Sequence, residues 1–506
     1  MQKQYLFDPL PDDKIDELTP EEMKIILRGE RDLIRQYKNY INELESELFK
    51  TQQKSFLLEE QSIKIKHRLF GKSSEKSDKK PTSDKIKNEP RKRILLPSER
   101  YPNVEIIEKH VELEILPTCP CCSKEMKDSG LTEDSEYLTV IPRRFYVVQQ
   151  KRVKYRCSGC QEGLITAPVI PRIKSGSSYS DEMVLDVALS KYCDLIPVER
   201  YVQMASRSGV IGLPANTLIE GTHNLANFLA PVYKKIKLEV MNSKVFHADE
   251  TPHRMLEGDK KSNWYLWGFS TDSASYFEAH DTRSGSVAAD IVKESQCEFL
   301  MSDVFSGYAR AVTDSNIYRR ENNLPEVKNI YCNAHARRKF KEASMSFTNE
   351  GKLFIWCYKK IYRLEKIKDF NKRRLWQKIY YKSMERAGLR LKSSYSSKSS
   401  LIKAVDYFIR NFYELTLFLK FEDLPIDNNS QERLMRNPVI GRKTWYGTHS
   451  KRGAETNAVI FSLVESCKIN KVNPRDYFRD IVHAIHEKKS IFTPNEYLGL
   501  KSEKIA

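Results

Sequence analysis

The chain has no run of about 18 apolar residues, so no part of it reads as a helix that crosses a bilayer. Its opening, MQKQYLFDPLPDDKIDELTP, lacks the basic, then apolar, then small-residue order of a secretory signal. Cysteine is sparse: ten in 506 residues, four of them in two CxxC pairs and the others scattered. That excludes a disulfide scaffold and fits a reducing compartment with one metal site, hence a cytoplasmic protein. Acidic residues are in deficit, 68 Asp and Glu against 85 Lys and Arg, and the formal charge of +17 is spread along the chain. Nucleic acid is the natural partner of such a surface, and the length implies several domains.

What is present begins with a strong helix start, Thr19-Pro20-Glu21-Glu22: an N-cap threonine, proline at the first helical position and glutamate at the third. Met23, Leu27, Ile34, Tyr37, Ile41, Leu44 and Leu48 then recur at three- and four-residue steps, interrupted by Glu30. Thr51 and Ser55 weaken the seam before Leu58, Ile65 and Leu69 resume it. Residues 19–70 therefore read as a leucine-zipper-like coiled coil that self-associates, against the plainer reading of an amphipathic helix packed on its own protein. GKSSEKSDKKPTSDKIKNEPRKR, Gly71 to Arg93, has almost no apolar residue, so residues 71–98 are expected to be a basic, disordered linker.

Cys119 and Cys122 form the first CxxC pair, Cys157 and Cys160 the second, with the strand-rich YLTVIPRRFYVVQQKRVKYR between them. Each pair can place two thiolates on one tetrahedral ion, which predicts a zinc ribbon over residues 99–172 with one structural Zn2+. Because the interval is long for a small ribbon, Cys121 or His110 could stand in as a ligand. Between Asp181 and Lys237 the period is helical, and VERYVQMASRSGVIGLPANTLIEGT is compatible with either a helix-turn-helix that binds DNA or a plain helical hairpin.

From Lys244 the pattern changes to strands. VFHADETPHRML ends a strand at Asp249 and Glu250, NWYLWGFSTDSASYFEAH reads as a hairpin, CEFLMSDVFSGYARAV ends a buried strand at Asp303, and VKNIYCNAHARRKF gives another strand and a basic helix. Strands followed by helices in this order predict an α/β sheet of ribonuclease H type, delayed by a helical insertion at about residues 342–423. The last helix starts in IDNNSQERLMRNPVIGRKTW, where Glu432 is followed by Arg433, Arg436, Arg442 and Lys443. On local grounds Glu432 is a capping-box glutamate, with Asn429 as N-cap. Phosphodiester cleavage by two Mg2+ or Mn2+ ions needs carboxylates converging from separate elements, and Asp249, Asp303 and Glu432 supply that set. Successive strand residues point to opposite faces, so Asp249 is chosen over Glu250, which is left as an auxiliary. The plain reading of each aspartate is a strand-end cap of the following turn. His247 shares the face of Asp249 and could orient a ligand, touch DNA or be a core histidine; His335 is similar. Arg337, Arg338 and Lys339 read as phosphate contacts or as a solvated helix face.

Taken together, RLFGKSSEK (from Arg68), the paired CxxC, SKYCDLIPVERY (from Ser190), HADETP (from His247), SDVFSGY (from Ser302), CNAHARRKF (from Cys332), DNNSQER (from Asp427) and IGRKTW (from Ile440) resemble the insertion sequence 66 family of bacterial transposases. The resemblance runs in order from about Arg68 to Ile485. It implies a multidomain α/β protein with a zipper-like helix, a zinc-binding domain and an interrupted ribonuclease H-like core, a DDE transposase with catalytic acids Asp249, Asp303 and Glu432. The zinc ligands it implies are Cys119, Cys122, Cys157 and Cys160. Val304 stands where the family usually has glycine, and Asn333 where it usually has tryptophan.

The expected division is a tail at 1–18, coiled coil at 19–70, linker at 71–98, zinc ribbon at 99–172, helical DNA-binding segment at 173–240, catalytic core at 241–485 and tail at 486–506. The function it predicts is cleavage and strand transfer at the terminal inverted repeats of an insertion element. The partners are double-stranded DNA at those repeats and at the target, a second copy of the chain, and accessory proteins where the element encodes them; no membrane is involved. Two rival readings are an inactive relative that binds DNA as a repressor, and a nuclease that cuts without joining.

Overall fold

The computed structural model describes residues 19–70, 96–102, 104–110, 117–122, 124–126, 135–140, 143–156, 164–256 and 263–503. Most of them are helical. Among them no helix is long and apolar enough to cross a membrane. The chain divides into two compact units, one of Met1–Gly71, Arg152–Gln203 and Leu213–Ala506, the other of Lys72–Lys151 and Met204–Gly212. Of the disordered linker expected at residues 71–98, residues 71–95 lie outside the described residues, and its end is corrected: Pro97 and Ser98 open a short helix, Pro97–Arg100.

In the larger unit, α1 (Pro20–Phe70) is one continuous helix that starts at the predicted proline. Its seam residues Met23, Leu27, Ile34, Tyr37, Ile41, Leu44, Leu48, Leu58 and Ile65 are exposed by 42–66% within the single chain. Buried Glu60 is the exception: its carboxylate accepts the Ser400 N–H at 3.0 and 3.2 Å. An anion at that helix start is electrostatically favoured.

The smaller unit carries the short α2 (Pro97–Arg100), whose Ser98 N–H and hydroxyl both donate to the Glu136 carboxylate at 2.9 Å. The strand-rich interval expected between the CxxC pairs is corrected here. Of residues 135–140 and 143–156, only β1 (Lys154–Arg156) is a strand; it and its antiparallel partner β2 (Leu164–Thr166) both belong to the larger unit. Tyr146, Val147 and Val148 are exposed. Among the described residues no strand pairs with residues 135–140 or 143–151, and a lone extended segment is not stable as sheet.

Helices α3 (Asp181–Tyr192), α4 (Val198–Arg207), α5 (Ala215–Phe228) and α6 (Ala230–Met241) lead to the central sheet. Its strands are β3 (Val245–Arg254), β4 (Asn263–Ser270), β5 (Ser275–His280), β6 (Phe299–Ser302) and β7 (Lys328–Tyr331), in the order β5-β4-β3-β6-β7. The first three run antiparallel through the predicted hairpin; β3, β6 and β7 run parallel, joined by α7 (Ser286–Val292) and α8 (Ser306–Glu321). Phe246, Ala248 and Leu300 share a core with α7 and α8.

Phe299, Met301 and Ile330 pack instead into a second core with α9 (Asn333–Ala343) and the insertion, which consists of α10 (Thr348–Leu364), α11 (Phe370–Ser394), α12 (Ser400–Arg410), α13 (Phe412–Thr416) and a 3-10 turn. Phe340, Phe354, Tyr381 and Phe408 give the insertion an aromatic centre of its own. The chain then returns to the sheet through α14 (Asn429–Trp445), α15 (Lys451–Ile469), α16 (Pro474–His486) and α17 (Pro494–Glu503). Helix α15 covers the β5 edge, with Ser466 and Ser462 hydroxyls accepting the Ser275 and Phe277 N–H groups at 2.9 and 2.8 Å. An edge strand that would otherwise present unpaired donors is thereby closed.

Candidate active site

The register of the sheet brings two of the predicted acids together. His247 on β3 pairs with Met301 on the parallel β6, and Asp303 directly follows the end of β6, near enough for its charge to act on Asp249 two residues beyond His247. On the antiparallel side Asp249 is opposite Gly268. A Cβ built on Gly268 would lie 2.3 Å from Gln431 Nε2 and 2.9 Å from Met435 Sδ, so the glycine lets α14 approach the sheet directly over Asp249. Gly268→Val is expected to cost about 1–3 kcal/mol by overpacking and to lower cleavage through displacement of α14; a melting curve that matches the parent would contradict this.

Both ends of α14 are pinned to β3. At the start, Asn428 Nδ2 donates to Ala248 O at 2.9 Å, which leaves its Oδ1 to accept from His247 Nδ1 at 2.7 Å. Burial holds His247 below the usual imidazole range, so the ring is neutral and serves as this anchor. At the far end, left-handed Tyr446 and Gly447 turn the chain so that Thr448 N–H donates to Arg254 O at 3.0 Å and Leu256 N–H to Thr448 O at 2.8 Å. A Cβ on Gly447 would stand 2.1 Å from Arg254 O. His253 Nε2 bonds Thr448 Oγ1 at 2.8 Å, and burial followed by the Arg442 charge lowers its pKa to about 4.

The helix begins at Asn429 with Asn428 as N-cap residue, one position earlier than the sequence reading. Asn428 makes no side-chain cap because that side chain is committed to β3, and Glu432 falls beyond the capping-box position. Asp427 takes up the slack, accepting from Asn429 N–H at 3.1 Å and from Tyr362 OH at 2.9 Å.

The electrostatics follow from this convergence. Burial raises the Asp249 carboxyl to about 8, and the charges of Glu250, Asp303 and Glu432 all push in the same direction. Glu250 is also raised by burial, but its oxygens are engaged on the other face: Oε1 by Arg283 at 2.8 and 2.6 Å, Oε2 by Tyr308 OH at 2.5 Å. Asp303 Oδ1 accepts the Phe305 N–H at 3.0 Å, the turn-capping bond that the plain reading expects. Glu432, its side chain 26% exposed, has Oε1 at 3.6 Å from His335 Nδ1 and Oε2 at 3.8 Å from Arg338 Nη2. Neither Oε1 nor that Nδ1 has a hydrogen-bond partner, although both atoms are shielded from solvent.

Hard oxygen donors, a carboxyl held protonated by burial and by its neighbours' charge, and a shielded, unbonded carboxylate oxygen suit a divalent cation. If the cation replaces that proton, metal binding strengthens with pH. The raised pKa means that the metal-free fold keeps a proton the unfolded chain loses between about pH 4 and pH 8, so its stability falls over that window as pH rises. Mg2+ or Mn2+ is therefore expected to raise Tm more at about pH 8.5 than at about pH 6. An equal rise at both would contradict proton displacement.

Of the predicted phosphate contacts, Arg433, Arg436 and Lys443 are exposed on α14 and Arg338 and Lys339 on α9, while Arg337 is partly buried. Lys339 Nζ sits 4.6 Å from the Tyr407 ring centre, and Arg442 donates to Pro252 O. The site also contains residues the sequence reading missed. Asn428 and Gly268 carry no signal distinguishing them from loop and strand neighbours, whereas Gly447 just after a helix is a recognisable C-terminal stop.

In the smaller unit, Cys119 and Cys122 lie on a turn closed by Cys119 N–H to Lys124 O at 2.8 Å and by the Thr118–Glu125 bridge. Hydrogen bonds from the Cys121 and Cys122 backbone lower the Cys119 thiol, which suits a thiolate ligand. Cys157 and Cys160 lie outside the described residues.

Comparison with known proteins accords with these features. The family described as the zinc-finger binding domain of transposase IS66 matches residues 117–161, a span that includes all four cysteines and supports a bound zinc ion. Two proteins of Sinorhizobium fredii are similar over most of the chain. Uncharacterized protein y4jD is 25% identical over 405 residues, 76% of this chain and 78% of its own. Uncharacterized protein y4hP is 25% identical over 421 residues, 75% of this chain and 73% of its own. The family described as Transposase IS66 family matches residues 176–456, more than half of the chain and the whole span from α3 to the start of α15. This chain belongs to the IS66 family of transposases.

Proposed function

We propose that this transposase binds the terminal inverted repeats of its element, cuts at the ends and joins the 3′-hydroxyls to target DNA, using a ribonuclease H-like DDE core. The observation that carries the reading is the convergence of three acids from separate parts of the chain: Asp249 lies on β3, Asp303 directly follows β6, and Glu432 lies on α14, which is anchored to β3 and packs over Gly268 opposite Asp249. The strand order β5-β4-β3-β6-β7, three antiparallel and then parallel, supports the ribonuclease H-like assignment.

Asp249, Asp303 and Glu432 would hold two Mg2+ or Mn2+ ions, which when bound activate a water or 3′-hydroxyl and stabilise the leaving oxygen. The residues of the chain do the rest. The two anchors of α14 fix the Glu432 carboxylate relative to Asp249 before DNA arrives, which is the preorganisation such a site requires. Glu250, held by Arg283 and Tyr308, adds negative potential from the opposite face. Arg433, Arg436 and Lys443 lie on exposed positions of the helix that begins at the acids, where they can take successive phosphates; Arg337, Arg338, Lys339 and Arg442 extend the same basic surface.

Cys119, Cys122, Cys157 and Cys160 hold the structural zinc, residues 173–240 contribute to DNA binding, and α1 pairs with the α1 of another copy so that two element ends meet. The exposed seam supports that pairing. Deleting the residues before Gly71 is expected to reduce the mass seen by light scattering; an unchanged mass would contradict the pairing. The function is tested by incubating the protein with Mg2+ or Mn2+ and labelled element-end DNA. Nicking and joining are expected, hydrolysis alone would indicate a nuclease, and binding without cleavage would indicate a repressor.

A further inference from the structure

Beside the acidic cluster is a set of donors of a different chemical kind. Cys332 precedes α9 and His335 lies in its first turn, three residues on and therefore on the same side of the helix. Cys332 is fully buried, and its Sγ is fixed by the Asn428 N–H at 3.2 Å. Cys332 Sγ, a ring nitrogen of His335 and a carboxylate oxygen of Glu432 all lie within 4.8 Å of one another. His335 Nδ1 and Glu432 Oε1 are 3.6 Å apart, shielded and without hydrogen bonds. Bond lengths of about 2.0–2.3 Å to a tetrahedral ion imply ligand spacings of roughly 3.3–3.7 Å, so modest side-chain rotation closes the set. Two polar atoms left unbonded against each other is an unfavourable arrangement that one cation would relieve.

We propose that Cys332, His335 and Glu432 form a transition-metal site of the Zn2+ class, separate from the zinc-finger cysteines. Sulfur, nitrogen and a single oxygen select a borderline ion such as Zn2+ or Co2+ over Mg2+, which demands oxygen ligands throughout. Binding releases the Cys332 thiol proton to solvent and leaves a fourth position for water, since the His335 and Glu432 side chains are 28% and 26% exposed. The consequence for activity rests on the DDE reading: an ion at this site takes the carboxylate that the Mg2+ pair needs. Zn2+ then inhibits, and Mg2+ competes.

The test loads the full-length protein with Co2+ or Zn2+, removes loose metal by gel filtration and counts bound ions, while the thiolate-to-cobalt absorption is recorded. About two ions per chain are expected for the parent and about one for Cys332→Ala and for His335→Gln, with cobalt absorption reduced in Cys332→Ala. Circular dichroism melting establishes that the variants are folded, and His335→Gln is the milder substitution at a partly exposed position. Equal metal content in the parent and both folded variants would overturn the site. The two readings fail separately. If the second ion binds but Glu432→Gln still cleaves DNA, the site stands and the DDE reading falls; if no second ion binds but Glu432→Gln cannot cleave, the reverse holds.

Discussion

Asp249→Asn and Glu432→Gln are each expected to lower metal-dependent cleavage of element-end DNA on the order of 10³-fold or more, with DNA binding retained. Each replacement keeps the shape of the side chain and removes one carboxylate that the proposed site would use as a ligand. Burial, with the charges of Glu250, Asp303 and Glu432, already disfavours ionisation of Asp249, and an amide there would relax the cluster without rebuilding it. DNA affinity depends chiefly on Lys and Arg neutralising phosphates, so removing an acid should leave binding equal or slightly tighter. Glu250→Gln should be milder, because its oxygens serve Arg283 and Tyr308. The check is single-turnover cleavage beside a binding titration at fixed salt. Variants that cut at the parental rate would remove both residues from the chemistry.

Asn333→Ala is expected to cost about 2–4 kcal/mol of stability and to reduce cleavage with it. The side chain is fully buried and bonded on every side: Nδ2 donates to Leu415 O at 2.9 Å and Ile426 O at 3.1 Å, and Oδ1 accepts from Tyr381 OH at 2.8 Å and Tyr358 OH at 3.3 Å. It thereby joins α9, α10, α11 and the chain leading into α14. Truncation leaves two phenols and two carbonyls without this partner in an enclosed core, where each unmet group is costly. Because Ile426 directly precedes Asp427 and Asn428, the loss also loosens the anchor that positions Glu432. Asn333→Trp, the family's usual residue, should fare no better here, since an indole cannot replace four bonds in a filled space. Denaturant unfolding with an unchanged midpoint would contradict this role.

The elements that carry the acids were legible because they obey local rules. The hairpin after Asp249, the strand before Asp303 and the Thr19-Pro20 helix start stand where alternation and capping chemistry predict, whereas the strand expected to end at Asp249 and Glu250 runs on to Arg254 because β4 pairs with it as far as that residue. What local rules could not reveal depends on distant partners. Asn428 and His247 bond across 181 positions of sequence, so the register of α14 was misjudged by one residue. Gly268 looks like a weakened strand position until α14 lies over it. Asn333 reads as a departure from the family's usual residue, and only the insertion's tyrosines give it four partners. Residues 135–140 and 143–153 failed the opposite way: alternation was present, but Tyr137, Val140, Tyr146, Val147 and Val148 stay exposed among the described residues.

The most direct test of the acid cluster is to locate Mn2+ by anomalous scattering in crystals of the protein with its element-end DNA. Two peaks about 3.5–4 Å apart, bounded by Asp249, Asp303 and Glu432, are the expected result. Mn2+ held elsewhere, or absent from these three carboxylates with DNA in place, would contradict the account.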